Sequence, residues 1–406
     1  MRQRLNATFA SLRNPNFRLY FAAQIGSNIG TWIQITAENW LVLQLTDSGL
    51  ALGITNALQF GPLVFLGLYG GVIADRFDRR KLLILTQGAL AALAATLGLL
   101  VATDLIQLWM IWVAALLLGL FMAVDRPAQF AFVKDLVGDE DLPNAVALNN
   151  AVISSGRMIG PVVSGLLIAS FGMGPSFFIN AVSFILVVLV LFMLDASRLH
   201  ATAPEAPKPG QVLEALSHIR RDRVLMLTVV TMSVVFIAAY NFQVLVPLFA
   251  FRVLGGSSEL YGAVMSTLGF GAVVGSLLIA SWVKPGVTMI AIWSGLLGVA
   301  HVWLALPFGI YVALAGMFFL GLACGFFGVT VTSTLQVRSP ETMRGRIMST
   351  YSIAILGSAL VGSPIFGSLA DAAGVPATLL VIAAICVVTA ATVAWIWMKS
   401  ARAEID

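Results

Sequence analysis

Long apolar runs and short polar breaks alternate along the whole chain. Runs bounded by charge, glycine or proline fall at 17–45, 50–74, 82–103, 105–133, 144–171 and 175–194. Six more follow at 223–251, 258–283, 287–305, 310–337, 346–372 and 375–398. Each is long enough to cross a bilayer as a helix, which takes roughly 20 mostly apolar residues. The runs are too continuously apolar for the ten-residue alternation of a membrane barrel. The pattern predicts an all-α membrane protein with twelve transmembrane helices.

The longest polar stretch, "DASRLHATAPEAPKPGQVLEALSHIRRDR" (Asp195–Arg223), separates six spans from six. Its Pro-rich front predicts a linker, and "GQVLEALSHIRRDR" has the periodicity of a short amphipathic helix on the membrane surface. The expected organisation is a six-helix bundle at 1–194, a linker at 195–222 and a second bundle at 223–406. An internal repeat supports this division. "NAVALNNAVISSGRMIGPVVSGLLIASFG", from Asn144, lies over "IMSTYSIAILGSALVGSPIFGSLADAAG", from Ile347, so that Pro161 falls on Pro364. Two such bundles, related by an axis along the membrane normal, describe a secondary transporter.

Composition agrees: 59% of the 406 residues are hydrophobic, against roughly 45–50% in a soluble domain. The net charge of +4 says less than where the positive charges lie, and no nucleic-acid partner follows from it. With twelve crossings, every Lys and Arg except Arg126, Arg157 and Arg252 falls on the side that holds both termini. The positive-inside rule makes that side cytoplasmic. The N-terminus has no short apolar segment with a cleavage site, so no removable signal is read. The sequon at Asn6 falls on the cytoplasmic side. Cys324 and Cys386 sit in separate apolar runs and are expected to be packing residues.

Between the second and third spans, "GGVIADRFDRRKLL" (Gly70–Leu83) places six charges in seven residues of a chain that is 10% charged. Any short cytoplasmic loop tends to be basic, but the equivalent place in the second half, "GSLLIASWVKPGV", keeps only Lys284. The stretch resembles the G-x-x-x-D-R-x-G-R-R/K loop of the major facilitator superfamily, supplying Gly71, Asp75, Arg76, Arg79 and Arg80, with Asp78 in place of the second glycine. The resemblance implies a cytoplasmic gate made by Asp75, Arg76, Arg79 and Arg80 together with Asp125 at the end of the fourth span. Asp75 is expected near the start of the eleventh helix, at 345–347, where unpaired N–H groups attract a carboxylate. Arg79 is expected to pair with Asp125. Gly71 is expected to permit a close helix approach.

"DRPAQFAFVKDLV", "LPNAVALNN" and "SLRNPNFRLYFAAQIGSNIGTW" are similar to the branch of that superfamily containing the enterobactin exporter and macrolide efflux pumps. In the fifth span, Gly156, Gly160, Pro161 and Gly165 resemble the antiport motif of drug exporters, with Ser164 replacing one glycine. Small residues around a proline also serve plain helix packing. The resemblance implies the major facilitator fold, export of a small amphipathic molecule and protons as the coupling ion.

The first span carries Gln24, Ser27, Asn28, Thr31, Gln34 and Glu38 at three- and four-residue spacing, one polar stripe on one helix face. Such a stripe is either interhelical glue or the wall of a wet cavity. Ending in a carboxylate, which takes up a proton when desolvated, favours the cavity. Glu38 is the first proton-coupling candidate and Asp125 the second. Arg157 lies deep in the fifth span, where a charge costs roughly 2.5–3.5 kcal/mol and demands a cavity or a partner. With Gln24, Asn28, Thr31, Gln34 and the "YNFQ" residues Asn241 and Gln243, it completes the expected substrate contacts. His301, alone in the ninth span, reads as a packed or interhelically bonded histidine, with a proton relay as the alternative.

Other classes find no support. No lysine follows a glycine, so there is no nucleotide-binding P-loop. His200, His218 and His301 are dispersed, and neither HExxH nor GxSxG occurs, so no catalytic residue, metal or cofactor is expected. Lysophospholipids and sugars stay open beside drugs and siderophores as substrate classes, and a monomer is the default state.

Overall fold

The computed structural model describes residues 10–200, 211–280, 285–306, 309–341 and 343–403. Asn6 and its sequon, Arg2, Arg4, Lys208 and Lys284 lie outside the described residues. Every described element is helical. Among the described residues, ten helices are long and apolar enough to cross a membrane. One of them, Leu108–Phe171, is a 64-residue run broken at Gly138, whose φ of 73° is left-handed. It therefore holds two spans, at 108–137 and 139–171. No polar loop separates them, contrary to the expectation of a break over 134–143. A single glycine turns the chain, and Lys134 bridges the turn to Asp139 at 2.8 Å. The first helix, Pro15–Thr46, falls below the hydropathy of the other spans because of its polar stripe, yet its 32 residues are ample for a crossing. Splitting the long run and adding this helix gives twelve spans among the described residues.

The others are Gly49–Arg76, Arg79–Ala102 and Gly174–Met193 in the first half. Arg223–Val253, Ser258–Ala280, Val287–Ala305, Ile310–Arg338, Arg344–Ala373 and Val375–Ala403 make up the second. The seventh span is interrupted at Tyr240–Asn241, and the eleventh contains a wider π turn at Ser358–Gly362. The surface segment Gln211–Arg221 forms the expected helix, joined to the eleventh span by Arg346–Glu214 at 3.1 Å.

Two compact units result: residues 1–45 with 58–206, and residues 46–57 with 207–406. The same three helix pairings occur in each. In the first unit, Gly160 and Gly156 of the fifth span abut Trp32 and Asn28 of the first, and Ser164 Oγ donates to the Ile33 carbonyl at 2.9 Å. Gly119 of the fourth backs onto Gln59 of the second, and Gly98 of the third onto Phe177 of the sixth. In the second unit, Gly362 of the eleventh abuts Ile237 and Asn241 of the seventh. Gly321 and Gly325 of the tenth cross the eighth, and Gly298 of the ninth meets Ala383 of the twelfth. Lipid offers no hydrophobic drive between helices, so such contacts depend on close backbone approach at small residues. The repeat legible around Pro161 and Pro364 is thus a repeat of packing. Cys324 and Cys386 are buried and unpaired to each other. Large apolar side chains such as Leu85, Leu277 and Val388 point outward, as lipid-facing positions do.

Candidate functional site

The charged loop after the second span is built by capping. Asp78 adopts extended backbone (φ −57°, ψ 112°) and its carboxylate accepts from the Lys81 N–H at 2.9 Å. It is the N-cap of the third span. No left-handed residue is needed there, which explains how Asp78 can stand where the superfamily loop has glycine. Arg80 donates to the carbonyls of Leu191 at 2.7 Å and Phe192 at 3.1 Å, closing the end of the sixth span. Cations belong at that negative helix terminus. Arg76 is exposed.

Arg79 does not pair with Asp125. Its Nη1 donates to Asp135 Oδ1 at 2.7 Å, and its Nη2 to Asp75 Oδ1 at 3.3 Å. The Arg79 and Asp135 side chains are each 14% exposed, against 42% for Asp75, so the pair with Asp135 is the better shielded. The reason is distance along the helix. Asp125 lies ten residues before Asp135, about 15 Å along the axis, level with the interior of the third span and not its start. There, fully buried, it accepts from Thr86 Oγ1 at 2.6 Å, Gln87 Nε2 at 3.0 and 3.1 Å, and Gln129 Nε2 at 2.6 Å. The Asp135 carbonyl also accepts from the His200 N–H at 2.8 Å. Gly71 meets nothing within 4 Å, whereas Gly70 packs on the Ala123 carbonyl. The close approach is made one residue earlier than expected.

The polar stripe of the first span is buried throughout, from Gln24 through Ser27, Asn28, Thr31 and Gln34 to Glu38. Most of it bonds back onto its own helix. Gln24 Nε2 donates to the Tyr20 hydroxyl at 2.8 Å, Asn28 to the Gln24 carbonyl at 2.9 Å, and Thr31 to the Ser27 carbonyl at 2.8 Å. Gln34 reaches a neighbour: its Oε1 accepts from Asn180 Nδ2 of the sixth span at 2.8 Å. Glu38 hydrogen-bonds to Gln34, and its Oε1 has no hydrogen-bond partner. Chemically, then, the stripe ends in a carboxyl group held by one amide, with one oxygen open. Asn180 was not among the expected residues. Its signal is a lone amide in the run "SFFINAVSF".

The Arg157 guanidinium lies 5.0 Å from the centroid of the Trp32 ring, a cation–π contact that supplies the expected partner. Pro161, four residues on, cannot return an N–H to the Arg157 carbonyl. Pro161 and Gly165 are buried, and Gly156 and Gly160 make the first-span contact described above. In the second unit, Asn241 Nδ2 donates to the Ile237 carbonyl at 2.6 Å and its Oδ1 accepts from Ser363 Oγ at 3.3 Å. It braces the broken seventh span against the eleventh. Gln243 is half-buried. His301 is packed, its Nδ1 2.7 Å from the Leu297 carbonyl of its own helix.

Residues 6–405 match the MFS_3 family, described as transmembrane secretion effector. The chain belongs to this family of the major facilitator superfamily. It is 27% identical over 369 residues to the enterobactin exporter EntS of Shigella flexneri, covering 88% of this chain and 85% of that one. It is 23% identical over 336 residues to the staphyloferrin A transporter of Staphylococcus aureus, covering 80% of each. The fold is shared with a crystal structure of a bacterial homologue of the lysosomal transporter Spinster, at TM-score 0.74 and 14% identity over 93% of this chain and 96% of that one. It is shared also with a POT family transporter, at TM-score 0.77 and 10% identity over 95% and 96%. This major facilitator protein is a multi-pass membrane transporter of small molecules.

Proposed function

We propose that this transporter exports a small amphipathic molecule of the siderophore class in exchange for protons, by alternating access. The observation that carries the coupling is Glu38, 3% exposed with Oε1 unpartnered, at the end of a buried polar stripe. Protonation turns that oxygen from an unmatched acceptor into a hydroxyl, removing a buried charge that nothing else neutralises. The substrate class is supported by the relatives named for enterobactin and staphyloferrin A. Gln24, Asn28, Thr31, Gln34, Arg157, Asn241 and Gln243 are the substrate contacts of this reading. Asp125 is a weaker proton candidate than Glu38, because donors already meet both of its oxygens.

The distribution of Lys and Arg supports a bacterial cell membrane location with both termini cytoplasmic. Asp75, Arg76, Arg79 and Arg80 then form the cytoplasmic gate, residues 195–222 link the two halves, and the protein works as a monomer. Everted vesicles test the function. Enterobactin or staphyloferrin A is expected to accumulate when the lumen is acidified and to leave when a protonophore collapses the gradient. Accumulation indifferent to the protonophore would contradict proton coupling, and uptake into right-side-out vesicles would contradict export.

A further inference from the structure

At the ends of the fourth and tenth spans the two halves of the chain carry opposite charges. The register that lays Pro161 over Pro364 lays Asp135 over Arg338, each near the close of its span. In the first half Asp135 is answered by Arg79, the first residue of the third span. In the second half the ninth span begins with Val287. Valine offers Arg338 no charge, and it is too short to fill the space that an arginine fills. A cavity of about 170 Å³ opens there, with Arg338, Thr334, Gly286, Val287, Thr288 and Trp397 in its walls.

The acidic side chains of this face are engaged elsewhere. Glu214 pairs with Arg346 at 3.1 Å, and Asp222 caps the seventh span by accepting from the Val224 and Leu225 N–H groups at 2.8 and 3.0 Å. Glu341 is exposed, and among the described residues no carboxylate pairs with Arg338. Arg223 is already spent on the Ile396 carbonyl at 3.4 Å, the duty that Arg80 performs in the first half. Arg338 is therefore the cation of the cavity. The ninth span adds to the positive balance. Asp78 supplies a carboxylate to the start of the third span, but Gly286 has no side chain to cap the ninth, so its first N–H groups stay open.

The cavity lies where helices end and lipid headgroups begin. It is bounded by the starts of the seventh and ninth spans, at Val224 and Val287, and by the ends of the tenth and twelfth, at Arg338 and Trp397. One wall is Val337, apolar and 71% exposed. Trp395 and Met398, on either side of Trp397 in the chain, are exposed as well. Lys399 lies 5.4 Å from the centroid of the Trp395 ring, an aromatic ring and a cation together as at membrane interfaces. A soluble anion would gain nothing from the apolar wall, whereas a lipid would lay its chains along it.

We propose that the second half of this protein binds one anionic phospholipid, its phosphate received by Arg338 and the start of the ninth span and its acyl chains set beside Val337. The lipid phosphate is then the acidic partner that Asp135 supplies to Arg79 in the first half. Basic pockets between transmembrane helices are suited to such headgroups. With the orientation proposed above, the lipid belongs to the cytoplasmic leaflet. The site rests on the chain's being a membrane protein and not on its substrate or coupling ion.

Native mass spectrometry of the detergent-purified protein, titrated with phosphatidylglycerol, phosphatidylcholine or inorganic phosphate, tests the site. Wild type should hold one phosphatidylglycerol about tenfold more tightly than phosphatidylcholine, the difference that one charge-assisted contact makes. Arg338→Gln should erase that preference, and Arg338→Lys should keep most of it. Val287→Arg with Arg338→Asp, which installs the charge pattern of the first half, should likewise show no preference. Arg344→Gln removes an exposed arginine outside the cavity and should keep the preference in full. Equal affinity for the two lipids in wild type, or equal losses in Arg338→Gln and Arg344→Gln, would overturn the site. So would displacement of phosphatidylglycerol by inorganic phosphate at equal concentration, which would make the occupant a soluble anion.

Discussion

Arg79 and Asp135 meet at 2.7 Å across the ends of the third and fourth spans, while Asp125, the aspartate of the Asp-Arg-Pro sequence, is held by Thr86, Gln87 and Gln129. The two aspartates have therefore separated into two roles. One anchors a loop arginine at the edge of the unit, and the other organises amides in its interior.

Removing Asp135 should destabilise the first unit more than removing Asp75. The Arg79–Asp135 pair is a charge-assisted, largely shielded hydrogen bond, and Asp135→Ala should cost about 1–2 kcal/mol after allowance for partial solvent screening. Asp75 is 42% exposed, so Asp75→Asn should leave the melting temperature nearly unchanged while slowing transport. Thermal unfolding in detergent, followed by size-exclusion recovery, gives the comparison. Equal losses for the two variants would contradict the assignment of the stronger pair.

The two glycines near the end of the second span should respond oppositely to alanine. A methyl at Gly70 runs into the Ala123 carbonyl, a backbone atom that cannot turn aside, whereas one at Gly71 meets nothing within 4 Å. Gly70→Ala should cost on the order of 1–3 kcal/mol through overpacking and reduce membrane yield. Gly71→Ala should be close to neutral in stability. Yield and unfolding temperature measured side by side would expose the reverse order.

Asp125→Asn should be damaging despite its matched shape. Both carboxylate oxygens accept from amides or a hydroxyl, so an amide nitrogen there faces donors with a donor. The cost expected is about 2 kcal/mol. Thr86→Val, which removes one of the hydrogen bonds, should cost about 1 kcal/mol. A variant as stable as wild type would show that Asp125 is not the centre of this network.

The sequence made the scaffold legible because membrane physics leaves few choices: apolar length fixes the spans, and basic residues sort their ends. Pro161 over Pro364 announced a repeat that the structure expresses as equivalent glycine contacts on Trp32 and on Asn241. The local chemistry was less legible, because it depends on which helix turns come level. Asp125 and Asp135 look equally eligible along the chain, and only the antiparallel placement of the third span assigns Arg79 to the second. Gly70 and Gly71 differ by 100° around one helix, a distinction no motif spacing records. Asn180 became visible only when the sixth span was set beside Gln34. The Gly138 turn looked like a loop because its flanking charges were read as a solvent break.

Gly160 should prove a stringent position. Its missing side chain admits Trp32, the ring that Arg157 overlies. Gly160→Val should separate the first and fifth spans, costing about 1–3 kcal/mol, and expose Trp32. A shift of tryptophan emission to longer wavelength with a lower melting temperature is the expected result, best read with Trp32 retained and the remaining tryptophans replaced.

The coupling claim meets its most direct test in proteoliposomes carrying a lumenal pH dye, with wild-type protein or Glu38→Gln and, added outside, a siderophore that the everted vesicles accumulate. Wild type should move protons against substrate and respond to an imposed gradient. Glu38→Gln should still exchange labelled for unlabelled substrate, while the lumenal pH stays constant and a gradient drives no net flux. Substrate-linked pH change of wild-type size in Glu38→Gln would contradict the account.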